Sequence, residues 1–156
     1  MFVASASITV RRPIEGVFTY LADLEANLPR WASGIVAVAR MTPRPDGPGT
    51  RFQIVARAIG RPVVSDYLVT LFEPPTRFGG SAENRLFGFT EQYTLRSLGD
   101  ATAIDQRTEV QPHGLLRLVA PLMALAIRRL LASDLERLKA LLEAPSGPPT
   151  TRPAPG

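Results

Sequence analysis

The sequence predicts an α+β domain in which one long C-terminal helix packs over a curved antiparallel sheet of seven strands. Two regions predict it: residues 50–111 form short segments of alternating apolar and polar side chains, and residues 115–143 repeat leucine at helical spacing. The connections between the short segments span only a few residues, which forces neighbouring strands to be antiparallel. A long helix over a curved sheet encloses apolar space, where small ligands bind.

The first part of the chain predicts one strand and two short helices. Residues 4–10 alternate small polar and apolar side chains, as a strand with one buried face does. Pro13 stands where a first helical turn tolerates proline, and apolar side chains continue at helical spacing to residue 22. Asp23 can cap a second short helix that runs through Leu28 and that Pro29 ends.

Six more strands and the long helix follow. The strands are predicted at residues 34–41, 51–59, 63–72, 77–83, 87–98 and 101–111. Pro121 fits a first helical turn, so the regular helix is expected to begin near Ala120, with residues 115–119 as a looser lead-in. The second half of this helix is amphipathic, and its charged side chains are predicted to point outward: Asp134, Glu136, Arg137, Lys139 and Glu143.

Alternation along four strands assigns side chains to the inner face of the sheet. The predicted inward set is Phe52, Ile54, Ala56 and Ala58; Tyr67, Val69 and Leu71; Phe87, Phe89, Glu91, Tyr93 and Leu95; and Ile104, Gln106, Thr108 and Val110. The expected result is an apolar concave surface with a few polar groups from Glu91, Gln106, Thr108 and the two tyrosine hydroxyls.

Composition narrows the classes of function. The net charge of +4 comes from basic residues scattered along the chain, whereas nucleic-acid binding needs them clustered, so we expect no nucleic-acid partner. The most apolar stretch, between Arg117 and Arg128, is about half the length of a transmembrane helix. The absence of cysteine and of a signal-peptide pattern favours a cytoplasmic protein.

The chain is long enough for one domain, which we expect to span residues 1–143. Residues 144–156 are rich in proline and lack the side chains of a core. We expect them to form a disordered tail outside the fold.

Glu91 is the strongest candidate for chemistry. Its register places a carboxylate among Phe87, Phe89 and Tyr93, where burial would raise its pKa and let it exchange a proton with a bound enol or carbonyl. Two interpretations compete with this: a bulge shifts the register, or Glu91 pairs with an arginine near the cavity mouth.

The other chemical candidates are weaker. His113 is the only histidine and lies in a turn before the last helix, where a surface histidine is expected rather than a general base. With one histidine, no cysteine and no clustered carboxylates, we predict no metal site and no cofactor. Trp31 is interpreted as a core anchor between the short helices and the sheet rather than as a platform for a ligand.

Several segments together resemble a known family. They are residues 8–10 with 13–18, residues 24–31, residues 49–52, residues 69–77 and residues 134–139. In this order the chain resembles the helix-grip fold of the START-like or SRPBCC superfamily, also called polyketide cyclase/dehydrase-like. The resemblance implies a hydrophobic pocket and leaves its chemistry open, because members include lipid carriers, hormone-binding proteins and aromatic polyketide cyclases.

The leading hypothesis is binding of a hydrophobic small molecule, such as a lipid, isoprenoid or polyketide, between sheet and long helix. The expected ligand contacts are Phe52, Ile54, Tyr67, Val69, Phe89, Glu91, Tyr93, Gln106, Thr108, Met123 and Ile127. One alternative is a cyclase or dehydratase that uses Glu91 or a pocket tyrosine for proton transfer. Another is an interaction module with a filled pocket, in which residues 115–125 dock a partner or a membrane surface.

Overall fold

The computed structural model describes residues 1–58 and 60–145. The elements follow in the order β1 (Phe2–Val10), α1 (Ile14–Ala22), α2 (Leu24–Trp31), β2 (Ile35–Arg40), β3 (Arg51–Ala58), β4 (Arg61–Glu73), β5 (Arg77–Glu83), β6 (Phe87–Ser97), β7 (Thr102–Pro112), a 3₁₀ helix (Gly114–Val119) and α3 (Ala120–Leu142). The predicted strand end at Ile59 lies outside the described residues, and so does the predicted tail from residue 146 onward.

The seven strands form one antiparallel sheet in the order β1-β7-β6-β5-β4-β3-β2. Strands β2 to β7 form the predicted meander, and β1 joins its far edge by pairing with β7. The long helix α3 packs against β1 and α2. The predicted fold class is therefore confirmed.

The two short helices cover one end of the sheet. Helix α1 buries Val17, Phe18 and Leu21, whose spacing places them on one helical face. The Asp23 side chain caps α2 by accepting a hydrogen bond from the backbone N–H of Ala26 at 3.4 Å. The prediction that Pro29 ends α2 is wrong. Proline removes only the bond to the carbonyl four residues before it, and the helix continues to the buried side chain of Trp31.

The predicted inner face agrees with the structure along β6 and β7 and along most of β3 and β4. The exception is Leu71. A register shift between Val69 and Leu71 adds one residue to β4, which reverses the alternation, so Phe72 packs on the core in place of Leu71. The predicted orientation of the Ala58 side chain lies outside the part that the structure describes.

One end of the interior is filled by aromatic rings. Phe18, Phe72 and Phe78 pack edge to face, with ring centroids 5.6, 6.4 and 6.1 Å apart. Phe78 also contacts Tyr93, whose other side meets the edge of Trp31 at 6.3 Å. These five rings pack in one continuous chain of contacts.

Helix α3 begins at Ala120 after the 3₁₀ helix, as predicted, with Pro121 in its first turn. Its buried side chains are Leu131, Asp134, Leu135, Leu138 and Leu142. The predicted outward orientation of Asp134 is wrong, because it lies three residues after Leu131 and four before Leu138, on the face turned to the sheet. Among the described helices we find none with the length and hydropathy of a bilayer span.

Candidate functional site

A cavity of about 220 Å³ lies between the sheet, α2 and the middle of α3. Most of its lining is apolar, from Leu28, Trp31, Ala32, Ile35, Ile54, Ala56, Val63, Phe87, Phe89, Val110, Ile127, Leu130 and Leu131. The cavity therefore has the character of a site for an apolar molecule.

Small side chains on paired strands explain why this end of the interior is open. Ala56 on β3 lies opposite Val63 on β4, and Ile54 lies opposite Ser65. Ala32 and Ser33, which follow α2, add little volume from above. The same strands carry Phe52 and Phe72 at the filled end, so the taper in side-chain size sets where the cavity begins.

Polar groups in the cavity converge on Glu91. The Tyr67 hydroxyl donates a hydrogen bond to Glu91 Oε1 at 2.9 Å. On the neighbouring strand, Gln106 Nε2 donates to the Tyr93 hydroxyl at 2.9 Å. The register explains this convergence, because Glu91 pairs with Thr108 and Tyr93 pairs with Gln106 across β6 and β7. Glu91 is partly buried as a residue and belongs to the cavity lining.

Gly80 makes the Tyr67–Glu91 contact feasible. It lies on β5, between the strands that carry these two residues, and a Cβ there would stand 2.6 Å from the Tyr67 ring. Since that distance is too short for real atoms, any side chain at Gly80 would displace the ring. The strand thus uses glycine to let a tyrosine cross it and reach Glu91.

The enclosed position changes the acidity of these groups. Burial raises the pKa of Glu91 from 4.5 to about 7, and hydrogen bonds from Tyr67 and, to a smaller extent, Tyr93 oppose that rise. Burial and the neighbouring Glu91 charge hold the pKa of Tyr67 and Tyr93 well above the ordinary tyrosine value. Near neutral pH Glu91 therefore exists in both protonation states, whereas the tyrosines remain hydrogen-bond donors.

Three further polar atoms belong to cavity-lining residues and have no hydrogen-bond partner among the described residues. They are Trp31 Nε1, Gln106 Oε1 and Thr108 Oγ1, each buried. An unsatisfied buried polar atom costs about 1–3 kcal/mol, so a polar group that reached these atoms would be bound favourably. Trp31 is thus both the predicted core anchor and part of the cavity wall.

Asp134 closes the cavity on the side of α3. Its Oδ1 accepts hydrogen bonds from the Ser33 backbone N–H at 3.1 Å and from Ser33 Oγ at 2.8 Å. Burial raises the pKa of Asp134, and the two bonds from Ser33 oppose the rise. Sequence reasoning missed this residue, although its spacing from Leu131 and Leu138 was a signal that it shares their face.

Eight of the eleven predicted ligand contacts line the cavity: Ile54, Tyr67, Phe89, Glu91, Tyr93, Gln106, Thr108 and Ile127. The other three lie outside the lining. Phe52 packs beneath the Arg40 guanidinium, 5.0 Å from the ring centroid, and Val69 belongs to the filled core. Met123 is one helical turn before Ile127 and is partly exposed.

The remaining chemical candidates lie elsewhere. His113 Nε2 is 3.0 Å from Glu83 Oε1, and His113 is not among the residues that line the cavity. Within residues 1–58 and 60–145, no three His, Cys, Asp or Glu side chains are grouped so that they could hold a metal ion. A second recess, of about 250 Å³, lies at the outer face of the sheet beside Asp66, Glu83 and Glu109, and it shares with the inner cavity only the edges of Phe89 and Val110.

Comparison with known proteins bears on the family and the fold. The model of the family described as "Polyketide cyclase / dehydrase and lipid transport" matches residues 1–143. No curated protein matches the sequence.

Solved structures share the fold at low sequence identity. TTHA0849 from Thermus thermophilus is 20% identical, with a TM-score of 0.69 over 89% of this chain and 98% of that one. A START superfamily protein from Mycobacterium smegmatis is 17% identical, with a TM-score of 0.66 over 87% and 98%. The di-domain ARO/CYC protein BexL of the BE-7585A biosynthetic pathway is 15% identical, with a TM-score of 0.69 over 92% of this chain and 50% of BexL.

Proposed function

The chain belongs to the polyketide cyclase/dehydrase and lipid transport family, and on this premise we propose that its cavity binds a small hydrophobic molecule that carries one oxygen-bearing end. Membership supports binding of a hydrophobic ligand, or cyclase chemistry, at the level of the family. The observation that carries the finer proposal is the Glu91 carboxyl, which accepts a hydrogen bond from Tyr67 and lines a mostly apolar cavity.

The volume limits the size of the ligand. A cavity of about 150 Å³ accepts benzene, and this cavity has about 220 Å³. A molecule of one or two fused rings, or an isoprenoid unit of similar size, fits that space, whereas a whole phospholipid requires the helix α3 to move outward. The predicted ligand is therefore compact.

The polar groups define which end of the bound ligand lies next to Glu91. A ligand hydroxyl can donate to ionised Glu91, and a ligand carbonyl can accept from protonated Glu91; both states are populated near a pKa of about 7. The apolar remainder of the ligand would lie against Phe87, Phe89 and Ile127. Affinity would come mainly from burial of apolar surface, at roughly 25 cal/mol per Å².

Displacement of a fluorophore tests this proposal. The two-ring fluorophore 6-acetyl-2-dimethylaminonaphthalene is bound to the protein and displaced with naphthol or with naphthalene, which lacks the hydroxyl. We expect naphthol to compete about tenfold better, because a hydrogen bond to a charged group contributes about 1.5–3 kcal/mol. In Glu91→Gln that preference should shrink, whereas it should persist in the surface control Glu136→Gln.

A matched pair of variants tests the place of binding. Ile127→Trp puts a large ring into the cavity wall, and Ala126→Trp puts the same ring on the exposed side of the same helix turn. Loss of fluorophore binding in the first variant alone supports the cavity. Equal binding in both variants, or no binding by the parent protein, would refute the proposal. Native mass spectrometry with organic extraction then identifies any co-purified ligand.

A second candidate function is proton transfer in a cyclase or dehydratase reaction, which the Tyr67–Glu91 contact favours. A carboxyl group with a pKa of about 7 can both give and take a proton near neutral pH. Glu91→Gln separates the two candidates: it should abolish turnover in an enzyme and only weaken the binding of hydroxyl-bearing ligands in a carrier.

A further inference from the structure

Four leucines are exposed along the segment that leads into α3 and along its first turns. Leu115, Leu118, Leu122 and Leu125 are 83, 80, 69 and 47% exposed. Met1, 81% exposed, borders the same region through a recess that it shares with Arg117 and Ala120. Exposed leucines grouped in this way mark a surface that contacts something else.

The charged side chains within this segment are all basic. Residues 113–133 contain no Asp or Glu, and Arg117, Arg128 and Arg129 are all exposed. The carboxylate of Glu83, which approaches from the end of β5, is engaged by His113. The leucines are therefore accompanied by three arginines within one short stretch.

We propose that this leucine–arginine surface, residues 114–129, docks on an anionic lipid bilayer. Leucine side chains enter the boundary between headgroups and acyl chains, and arginines bind lipid phosphates while their stems cover apolar surface. A second copy of the chain fits less well, because a symmetric contact would bring three arginines of each copy together.

The surface adjoins the cavity along α3. Ile127, Leu130 and Leu131 line the cavity, and Leu130 is also 43% exposed. Docking would therefore bring the cavity wall to the membrane, where hydrophobic molecules are concentrated. This consequence for ligand uptake rests on the proposed function, whereas the docking does not.

Vesicle co-sedimentation tests the docking with the full chain. One set of vesicles is phosphatidylcholine alone, and in the other about a third of the lipid is phosphatidylglycerol. We expect about tenfold tighter binding to the second set, weakened by salt. Leu118→Ser with Leu122→Ser should abolish binding to both sets, and Arg128→Gln with Arg129→Gln should remove the preference for phosphatidylglycerol.

Matched controls come from exposed residues elsewhere in the molecule. Leu98→Ser with Val64→Ser replaces two apolar side chains that are 48 and 50% exposed, and Arg61→Gln with Arg96→Gln removes the same charge as the arginine variant. Both controls should bind as the parent does. The docking proposal is overturned by any of three results. They are that the parent does not bind anionic vesicles, that the leucine variant binds them as tightly as the parent does, or that binding does not depend on the charge of the lipid.

Sedimentation velocity tests the alternative occupant of this surface, a second copy of the chain. A parent dimer that the leucine variant converts to monomer, together with no vesicle binding, assigns the surface to a second copy and overturns the proposal. Fluorophore displacement without vesicles reports on the cavity independently. Failure of docking and failure of ligand binding are thus distinguishable.

Discussion

The two halves of α3 lie over the same sheet and differ in how deeply their side chains are buried. The half from Leu131 to Leu142 places four leucines in the core, whereas no residue from 114 to 130, all of them described by the structure, is fully buried. The first half instead forms a cavity wall through Ile127 and Leu130. A single helix thus combines a fixed end with an end that is only lightly held.

The difference in anchoring extends to polar contacts. At the fixed end, Glu143 accepts a hydrogen bond from the Arg11 backbone at 2.8 Å, and Lys139 donates to the Thr9 carbonyl at 2.7 Å. Asp134 and Ser33 mark the boundary between the halves. Toward the N-terminus of α3 the helix contacts the protein through part-buried apolar side chains. A region with few buried contacts opens at low free-energy cost, which suits the wall of a binding site.

The largest expected difference between the halves is in stability. Leu138 is fully buried, so Leu138→Ala should lower the free energy of unfolding by about 3 kcal/mol. Leu122→Ala, the same change on the exposed half, should alter it by less than about 0.5 kcal/mol. Urea denaturation of both variants measures this. Similar losses would mean that the first half is packed as tightly as the second.

At the cavity end, the pH dependence of the free energy of unfolding should report on Glu91. Because the pKa of Glu91 is raised from 4.5 to about 7 in the folded protein, the fold favours the protonated form. The stability from this group is present below pH 4.5 and is lost as the pH rises to about 7, by an amount on the order of 3 kcal/mol. Urea titrations between pH 4 and pH 8 should show the loss in the parent and in Glu136→Gln. Glu91→Gln should not lose stability over this range. If the loss persisted in that variant, it would come from another titrating group.

The boundary between the halves should show an intermediate effect. Asp134→Ala removes the acceptor of two hydrogen bonds and leaves the Ser33 N–H without its partner, so we expect a loss of about 2 kcal/mol. Ser33→Ala removes only one of the two bonds and should cost about 1 kcal/mol. Thermal unfolding of the two variants tests the order. The reverse order would show that the backbone bond contributes little.

Local patterns in the sequence predicted much of this molecule. Period-two alternation on β6 and β7 was enough to bring Glu91, Tyr93, Gln106 and Thr108 to one face. Proline and leucine spacing predicted where the regular part of α3 begins. These features depend on neighbours along the chain and along paired strands.

Features that depend on packing in three dimensions were not predicted. The bulge after Val69 exchanges Leu71 for Phe72, and no local signal marks it. The crossing of Tyr67 over Gly80 depends on three neighbouring strands, so it was not predicted. Two consecutive glycines in a strand were the one local sign that another group approaches the backbone closely there. The exclusion of Phe52 and Val69 from the cavity follows from where large rings fill the interior, which alternation alone does not specify.

The smallest expected effect is at the fixed end, and its sign is opposite to that at Glu91. The Arg11 backbone N–H and the nearby Lys139 and Arg11 charges lower the pKa of Glu143, so the fold favours the ionised form. Its contribution is present above the ordinary pKa of 4.5 and is lost as the pH falls below it. Glu143→Gln should therefore reduce the loss of stability in acid and change little at neutral pH beyond the weakened contact with Arg11. If Glu143→Gln left the acid limb of the stability curve unchanged, the contact with Arg11 would not anchor the end of α3, and the leucines together with the Lys139–Thr9 hydrogen bond would account for the fixed half.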